Sequence, residues 1–167
     1  RSIYPPLTMG MCAVAFGEPM QTWPPTFRVI NIESGKVLAL SGAEDHQVIL
    51  ADNTPGDYLQ FWTRKKGNII HSSTSLVLTY HADAKIRVES WHHGSSKQQW
   101  QYYPEYRILQ CSQMRSTIGA VQQQQQKEAG YHLVPCPRID QTSSSQQWQI
   151  VPADSNEAKR EEPKKPV

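Results

Sequence analysis

Cysteine is nearly absent: Cys12, Cys111 and Cys136 are the only three in 167 residues. Three thiols cannot all pair within one chain, and their wide spacing provides no disulfide framework. An odd count of this kind fits a reducing compartment or a free thiol, so the expected location is cytoplasmic or non-classically secreted. Long hydrophobic runs are also missing. The run over residues 9–16 is apolar but short of the ~20 residues that span a bilayer, and only Arg1 precedes it as a signal-type charge. No membrane span is expected. Charge of one sign is lacking too, with 17 Lys and Arg against 15 Asp and Glu for a net +2. The basic residues are dispersed, and the one basic triplet ahead of the tail, Arg64-Lys65-Lys66, reads as a turn. Nucleic-acid binders gather their cations on one face, so no nucleic-acid partner is expected.

Catalytic signatures are missing as well. The sequence contains no Gly-x-Ser-x-Gly elbow, no phosphate-cradling glycine loop and no His-Glu-x-x-His. A thiol nucleophile needs a base and an orienting group, and nothing in the sequence points to either for the three cysteines. No catalytic residue and no cofactor is assigned, and the chain reads as a binding protein rather than an enzyme.

What is present is a pairing of glutamine with tryptophan. Glutamine fills 17 positions, yet it stands two residues ahead of four of the five tryptophans: Gln21-Thr22-Trp23, Gln60-Phe61-Trp62, Gln98-Gln99-Trp100 and Gln146-Gln147-Trp148. From Trp62 to Trp100 to Trp148 the intervals are similar, the second being the longer. A recurrence of roughly 40 residues signals one supersecondary unit repeated. Before each of these tryptophans come short runs rich in Val, Ile and Leu. They are Phe27-Arg28-Val29-Ile30, Val37-Leu38-Ala39-Leu40 and Val48-Ile49-Leu50, then Ile69-Ile70, Leu76-Val77-Leu78 and Ile86-Arg87-Val88. The third set is weaker: Tyr106-Arg107-Ile108-Leu109, Thr117-Ile118 and Tyr131-His132-Leu133-Val134. Such runs, separated by turn residues, predict strands, and no repeat holds helical periodicity long enough for a helix. Four strands in each of three repeats predict an all-β chain folded as a β-trefoil with pseudo-threefold symmetry.

With its Gln-x-Trp closing each repeat, the chain resembles the ricin-B-like (R-type lectin) β-trefoil family over about residues 26–151. The run Val37-Leu38-Ala39-Leu40-Ser41-Gly42 looks most like the fungal members. Gln60, Trp62, Gln98, Trp100, Gln146 and Trp148 are expected to be architectural. A tryptophan buries on the order of 200 Å² and needs a partner for its indole N–H, while glutamine can satisfy backbone groups in the adjoining loop.

The resemblance implies a shallow sugar pocket that can occur once per repeat. It takes an Asp in the second strand, an aromatic in the third, and a polar residue just before Gln-x-Trp. A carboxylate orients on hydroxyls, and a flat ring covers the apolar face of the sugar. In the first repeat these positions fall at Ala39, Ala51 or Leu50, and Leu59. In the second they fall at Leu78, Trp91 and Lys97, and in the third at Gly119, Val134 and Ser145. Only Trp91 keeps the expected type, and losing the acid forfeits about 1.5–3 kcal/mol per charge-assisted bond.

The second repeat therefore carries the best site. If Trp91 is exposed, Glu89 or Asp83 can replace the missing acid, with His92, Lys97 and Gln98 around the ring. The bland alternative is a Trp91 packed on its hairpin with solvated histidines. Adjacent His92 and His93 point to opposite faces of a strand, and no Cys pair or His-x3-His spacing joins them to His81 and Asp83, so no metal site is assigned. Two readings follow. One is a non-catalytic carbohydrate-binding module for a glycan or glycoprotein, with one altered site. The other is a trefoil that binds a protein partner, as a protease inhibitor or assembly subunit. Outside the repeats, residues 1–25 read as an N-terminal arm or linker, and Gln21-Thr22-Trp23 imitates a repeat ending. Residues 152–167, charged and proline-bearing, read as a disordered tail. The glutamines at 122–126 read as a loop extension in the third repeat.

Overall fold

A computed structural model describes residues 18–81, 85–112, 116–122, 131–136 and 143–153. Cys12, the apolar run at 9–16, Asp83, the glutamines at 123–126 and the charged tail beyond 153 lie outside the described residues. Twelve strands follow one another: β1 (Phe27–Asn31), β2 (Val37–Leu40), β3 (Val48–Ala51), β4 (Trp62–Lys65), β5 (Asn68–His71), β6 (Val77–Tyr80), β7 (Ile86–Glu89), β8 (Trp100–Tyr103), β9 (Ile108–Cys111), β10 (Ser116–Gln122), β11 (Tyr131–Cys136) and β12 (Trp148–Pro152). A single turn of 3-10 helix precedes β4, β8 and β12, at Tyr58–Gln60, Ser96–Gln98 and Ser144–Gln146. The fold is an all-β trefoil.

Strands this short gain stability only by pairing and by burying a shared face. β1 runs antiparallel to β12 from Phe27 opposite Pro152 to Asn31 opposite Trp148, while β4 pairs with β5 and β8 with β9. The other strands form three hairpins, β2–β3, β6–β7 and β10–β11, whose second strands touch one another and cap one end. Trp62, Trp100 and Trp148 are all 0 % exposed at the centre, packed with Phe27, Leu38, Ile69, Leu78, Leu109 and Ile118. Each indole N–H reaches from a pairing strand to a hairpin strand: Trp62 to the Leu38 carbonyl at 2.9 Å, Trp100 to Leu78 at 2.8 Å and Trp148 to Ile118 at 2.7 Å. The acceptors Leu38, Leu78 and Ile118 are evenly spaced along the chain, which fixes the equivalence of the repeats.

A second ring of bonds joins each repeat to the one before it. Asn31, His71 and Cys111 close β1, β5 and β9, and they keep the same even spacing. Asn31 donates to the Ser145 carbonyl at 2.9 Å, His71 Nε2 lies 3.1 Å from the Leu59 carbonyl, and Cys111 Sγ lies 3.6 Å from the Ser96 carbonyl. A carbonyl can only accept, so His71 carries its proton on Nε2 and offers Nδ1 to Thr74 Oγ1 at 3.1 Å. Burial lowers the His71 pKa below its ordinary value.

Among the described N-terminal residues, Met20 and Trp23 pack against the trefoil. The Met20 N–H donates to the Tyr102 carbonyl at 2.7 Å, and the Trp23 indole donates to the Met20 carbonyl at 3.0 Å. The Trp23 ring leans on Phe27, meets Tyr102 edge-on at 6.2 Å between centroids, and carries the Arg64 guanidinium 4.7 Å from its own centroid. Gln21-Thr22-Trp23 is thus used differently from its three look-alikes. Its indole bond stays within its own segment, and Gln21 is exposed and bonded to Pro19. The basic triplet is corrected as well. Arg64 and Lys65 belong to β4, Arg64 is half-buried beneath Trp23, and the chain turns at Lys66 and Gly67, with φ of 50° and 82°.

This packing can be tested in two ways. Trp23→Ala should lower unfolding free energy in urea by about 2–3 kcal/mol, somewhat less than a fully buried Trp, and a loss under ~0.5 kcal/mol would show that the segment does not matter. The lowered His71 pKa means that the unfolded chain binds the extra proton more readily than the native one. Stability should therefore fall as pH drops from about 7.5 to about 5.5, and His71→Asn, the residue of the first repeat, should flatten that slope.

Candidate functional site

Trp91 stands apart from the tryptophans of the core. It lies in the loop after β7, is 58 % exposed, and meets the His93 ring edge-on at 5.6 Å. The loop around it is held from below by the buried side chain of Gln98. Gln98 Oε1 accepts from the His92 N–H at 2.8 Å, and Nε2 donates to the Ser90 carbonyl at 2.9 Å and to Thr79 Oγ1 at 3.1 Å. Pinning the residues on either side leaves the indole to project into solvent.

The first repeat uses the same brace, and it corrects two positions in the sequence reading. Gln60 Oε1 accepts from the Thr54 N–H at 3.2 Å, and its Nε2 donates to the Asp52 carbonyl. Thr54 therefore matches His92 and Asp52 matches Ser90, so Trp91 matches Asn53 rather than Ala51 or Leu50. The indole bonds likewise match Leu78 to Leu38. The second-strand partner of Ala39 is then Thr79, not Leu78, one position further along β6. The even spacing from Ala39 to Thr79 to Gly119 is the signal for this in the sequence. Neither candidate can face a ligand. Leu78 is wholly buried, and Thr79 is 2 % exposed with its hydroxyl donating to Val77 and accepting from Gln98. Gln98 itself is 0 % exposed and fully engaged, so it cannot line the ring as expected from the sequence.

The other residues singled out in the second repeat fall as follows. His92 is exposed beside Trp91, Lys97 is half-buried in the 3-10 turn that closes the same loop, and Glu89 is half-buried at the end of β7. Glu89 is already engaged, its carboxylate 3.3 Å from His81 Nε2 across the hairpin. Asp83 lies outside the described residues. Among the described residues no three His, Cys, Asp or Glu side chains cluster as a metal site. In the first repeat Asn53 accepts from Arg28, a cation buried to 2 % exposure in β1 whose Nε has no partner. In the sequence Arg28 is one member of a strand run, and nothing there signals that contact.

Removing the brace should disturb loop and stability together. Gln98→Ala strands the Ser90 carbonyl and the His92 N–H, at about 1–3 kcal/mol for each one left without water. We expect a loss of about 2–4 kcal/mol in urea unfolding and faster amide exchange at His92.

The comparisons with known proteins agree with this architecture. The model of the ricin-type β-trefoil lectin domain matches residues 25–148. The earthworm lectin C-terminal domain, a mutant solved with 6'-sialyllactose, is 18 % identical and superposes with a TM-score of 0.65, covering 77 % of this chain and 98 % of that one. The earthworm R-type lectin C-half, solved with GalNAc, is 19 % identical with a TM-score of 0.62 over 77 % of this chain and 98 % of its own. A non-toxic homologue of type II RIPs from Momordica charantia (bitter gourd), solved with α-methyl-D-galactoside, is 18 % identical with a TM-score of 0.62, covering 80 % of this chain and 48 % of that one. No curated protein matches the sequence. With twelve strands, three buried Gln-x-Trp indoles and a family match across most of its length, the chain belongs to the ricin-type β-trefoil lectin domain family.

Proposed function

We propose that this chain is a non-catalytic carbohydrate-binding module whose working site is the Trp91 loop of the second repeat. One observation carries the reading: Trp91 is 58 % exposed on a loop braced by Gln98, while the three Gln-x-Trp indoles are 0 % exposed. A rigid exposed indole suits the C–H face of a sugar. The lectin family of the chain, and the sugars held by the similar earthworm and bitter gourd proteins, support the same class of ligand.

The magnitudes indicate a weakened site rather than a lost one. Covering about 100 Å² of indole at ~25 cal/mol per Å² contributes about 2.5 kcal/mol. That is comparable with the ~1.5–3 kcal/mol forfeited with the missing acid, so stacking can sustain binding with Glu89, His92 and Lys97 as polar neighbours. Asp83, close in sequence, is proposed as a further acceptor. The alternative, a module that binds protein, draws on Tyr58, 61 % exposed in the turn before β4, and Ile49, 37 % exposed on β3. The exposure of Trp91 favours the sugar.

The test is a glycan array probed with wild type and Trp91→Ala, with circular dichroism to verify folding. Wild type should bind, and a folded Trp91→Ala should lose about 2.5 kcal/mol, nearly two decades in affinity. Silence from wild type across the array would overturn the sugar reading and direct attention to the Tyr58 surface.

A further inference from the structure

The charge around Trp91 points to a specific class of sugar. Between residues 85 and 98 the only acidic side chain is Glu89, and His81 already occupies its carboxylate at 3.3 Å. The second-strand position that would carry an acid is Thr79, whose hydroxyl is spent on Val77 and Gln98. Among the described residues of this stretch the one carboxylate is thus already partnered, and none stands unpartnered to accept from neutral hydroxyls. The donors have no such counterpart. Lys97 lies in the turn closing the Trp91 loop, and no acidic side chain pairs with its ammonium among the described residues. The His93 ring stands against the indole, His92 is exposed next to it, and both present ring nitrogens that can donate.

From this arrangement we infer that the site takes an anionic saccharide, one bearing a carboxylate or a sulfate ester, in preference to its neutral counterpart. The indole covers the ring, and Lys97 with His92 and His93 meets the anion. A charge-assisted hydrogen bond is about twice as strong as a neutral one, so an acceptor supplied by the ligand restores what the protein lacks. The inference rests on the carbohydrate-binding reading, and it reverses the polarity expected of a site built on an aspartate.

Titration calorimetry with lactose, sialyllactose and lactose sulfated on its galactose tests it. At about 50 mM salt at least one acidic sugar should bind about fivefold or more tighter than lactose, the scale of one partly exposed ion pair, and the advantage should shrink near ~0.5 M salt. The two acidic arms separate carboxylate from sulfate. Lys97→Gln should remove most of the preference, whereas Lys65→Gln, the same charge change on exposed β4, should not. Lactose binding as tightly as both acidic sugars, through Trp91, would overturn the inference and leave the carbohydrate reading intact. Failure of all three sugars and of the glycan array would remove both. A preference lost equally in Lys65→Gln would also overturn it, because net charge rather than the Trp91 site would then be the cause.

Discussion

The structure depends on one polar contact made at each repeat, an indole N–H donated to a hairpin strand, and in the first two repeats on a glutamine side chain spanning the loop in front of it. Trp62, Trp100 and Trp148 are wedged where the paired strands meet the cap, and each bond ties one layer to the other. Without the carbonyls of Leu38, Leu78 and Ile118 those indoles would be buried donors with no acceptor, at about 1–3 kcal/mol apiece. Burying three large rings at one centre is favourable only because all three polar edges are satisfied. Gln60 and Gln98 extend the same logic outward, replacing water at loop groups that the short 3-10 turns leave unpaired.

Between repeats the same task falls to three unlike side chains. Asn31, His71 and Cys111 each reach a backbone carbonyl of the neighbouring 3-10 turn, so geometry asks only for a donor of suitable reach. The chemistry differs where the geometry does not. Asparagine is indifferent to pH, a thiol is a weak donor, and a buried histidine favours its neutral form. Pseudo-symmetry of the backbone therefore coexists with an asymmetric response to solution conditions. Tyr102 adds a further link of this kind, its hydroxyl donating to the Trp148 carbonyl at 2.7 Å while burial pushes its pKa up to about 12.

The fold is legible in the sequence because its signals are local and repeated. Strand runs, turn residues and the Gln-x-Trp closures all sit within a short stretch of chain and recur three times. The site is only partly legible. Trp91 stands out by its type, but the second-strand position is read at Leu78 instead of Thr79, because the closures at Trp62, Trp100 and Trp148 are unevenly spaced and make a poor ruler. Unequal loops near the closures shift that ruler, whereas Leu38, Leu78 and Ile118 in the hairpin strands keep an even interval. The ring of Asn31, His71 and Cys111 is invisible, since three different residue types leave no repeat to read. Trp23 imitates a closure in sequence, yet its indole N–H bonds to Met20 instead of a hairpin strand and its neighbours come from four places along the chain.

Architecture and ligand chemistry are separable in this molecule, and the second repeat shows how. Gln98 holds Ser90 and His92 by their backbone groups, so the brace is indifferent to the side chain at residue 91. The fold thus places no demand on a tryptophan there. At 58 % exposure, roughly 100 Å² or more of a ring of ~200–250 Å² remains in water, which forgoes about 3 kcal/mol of burial. Tyr58 is as exposed, but its hydroxyl is suited to water, while an indole offers the solvent two apolar faces. Stability alone would favour a polar residue at such a point, as in the first repeat, where Asn53 occupies it and is bound to Arg28. An apolar ring on a braced loop and more than half in water is matched to something that covers it, and the donors around it set the polarity of that partner.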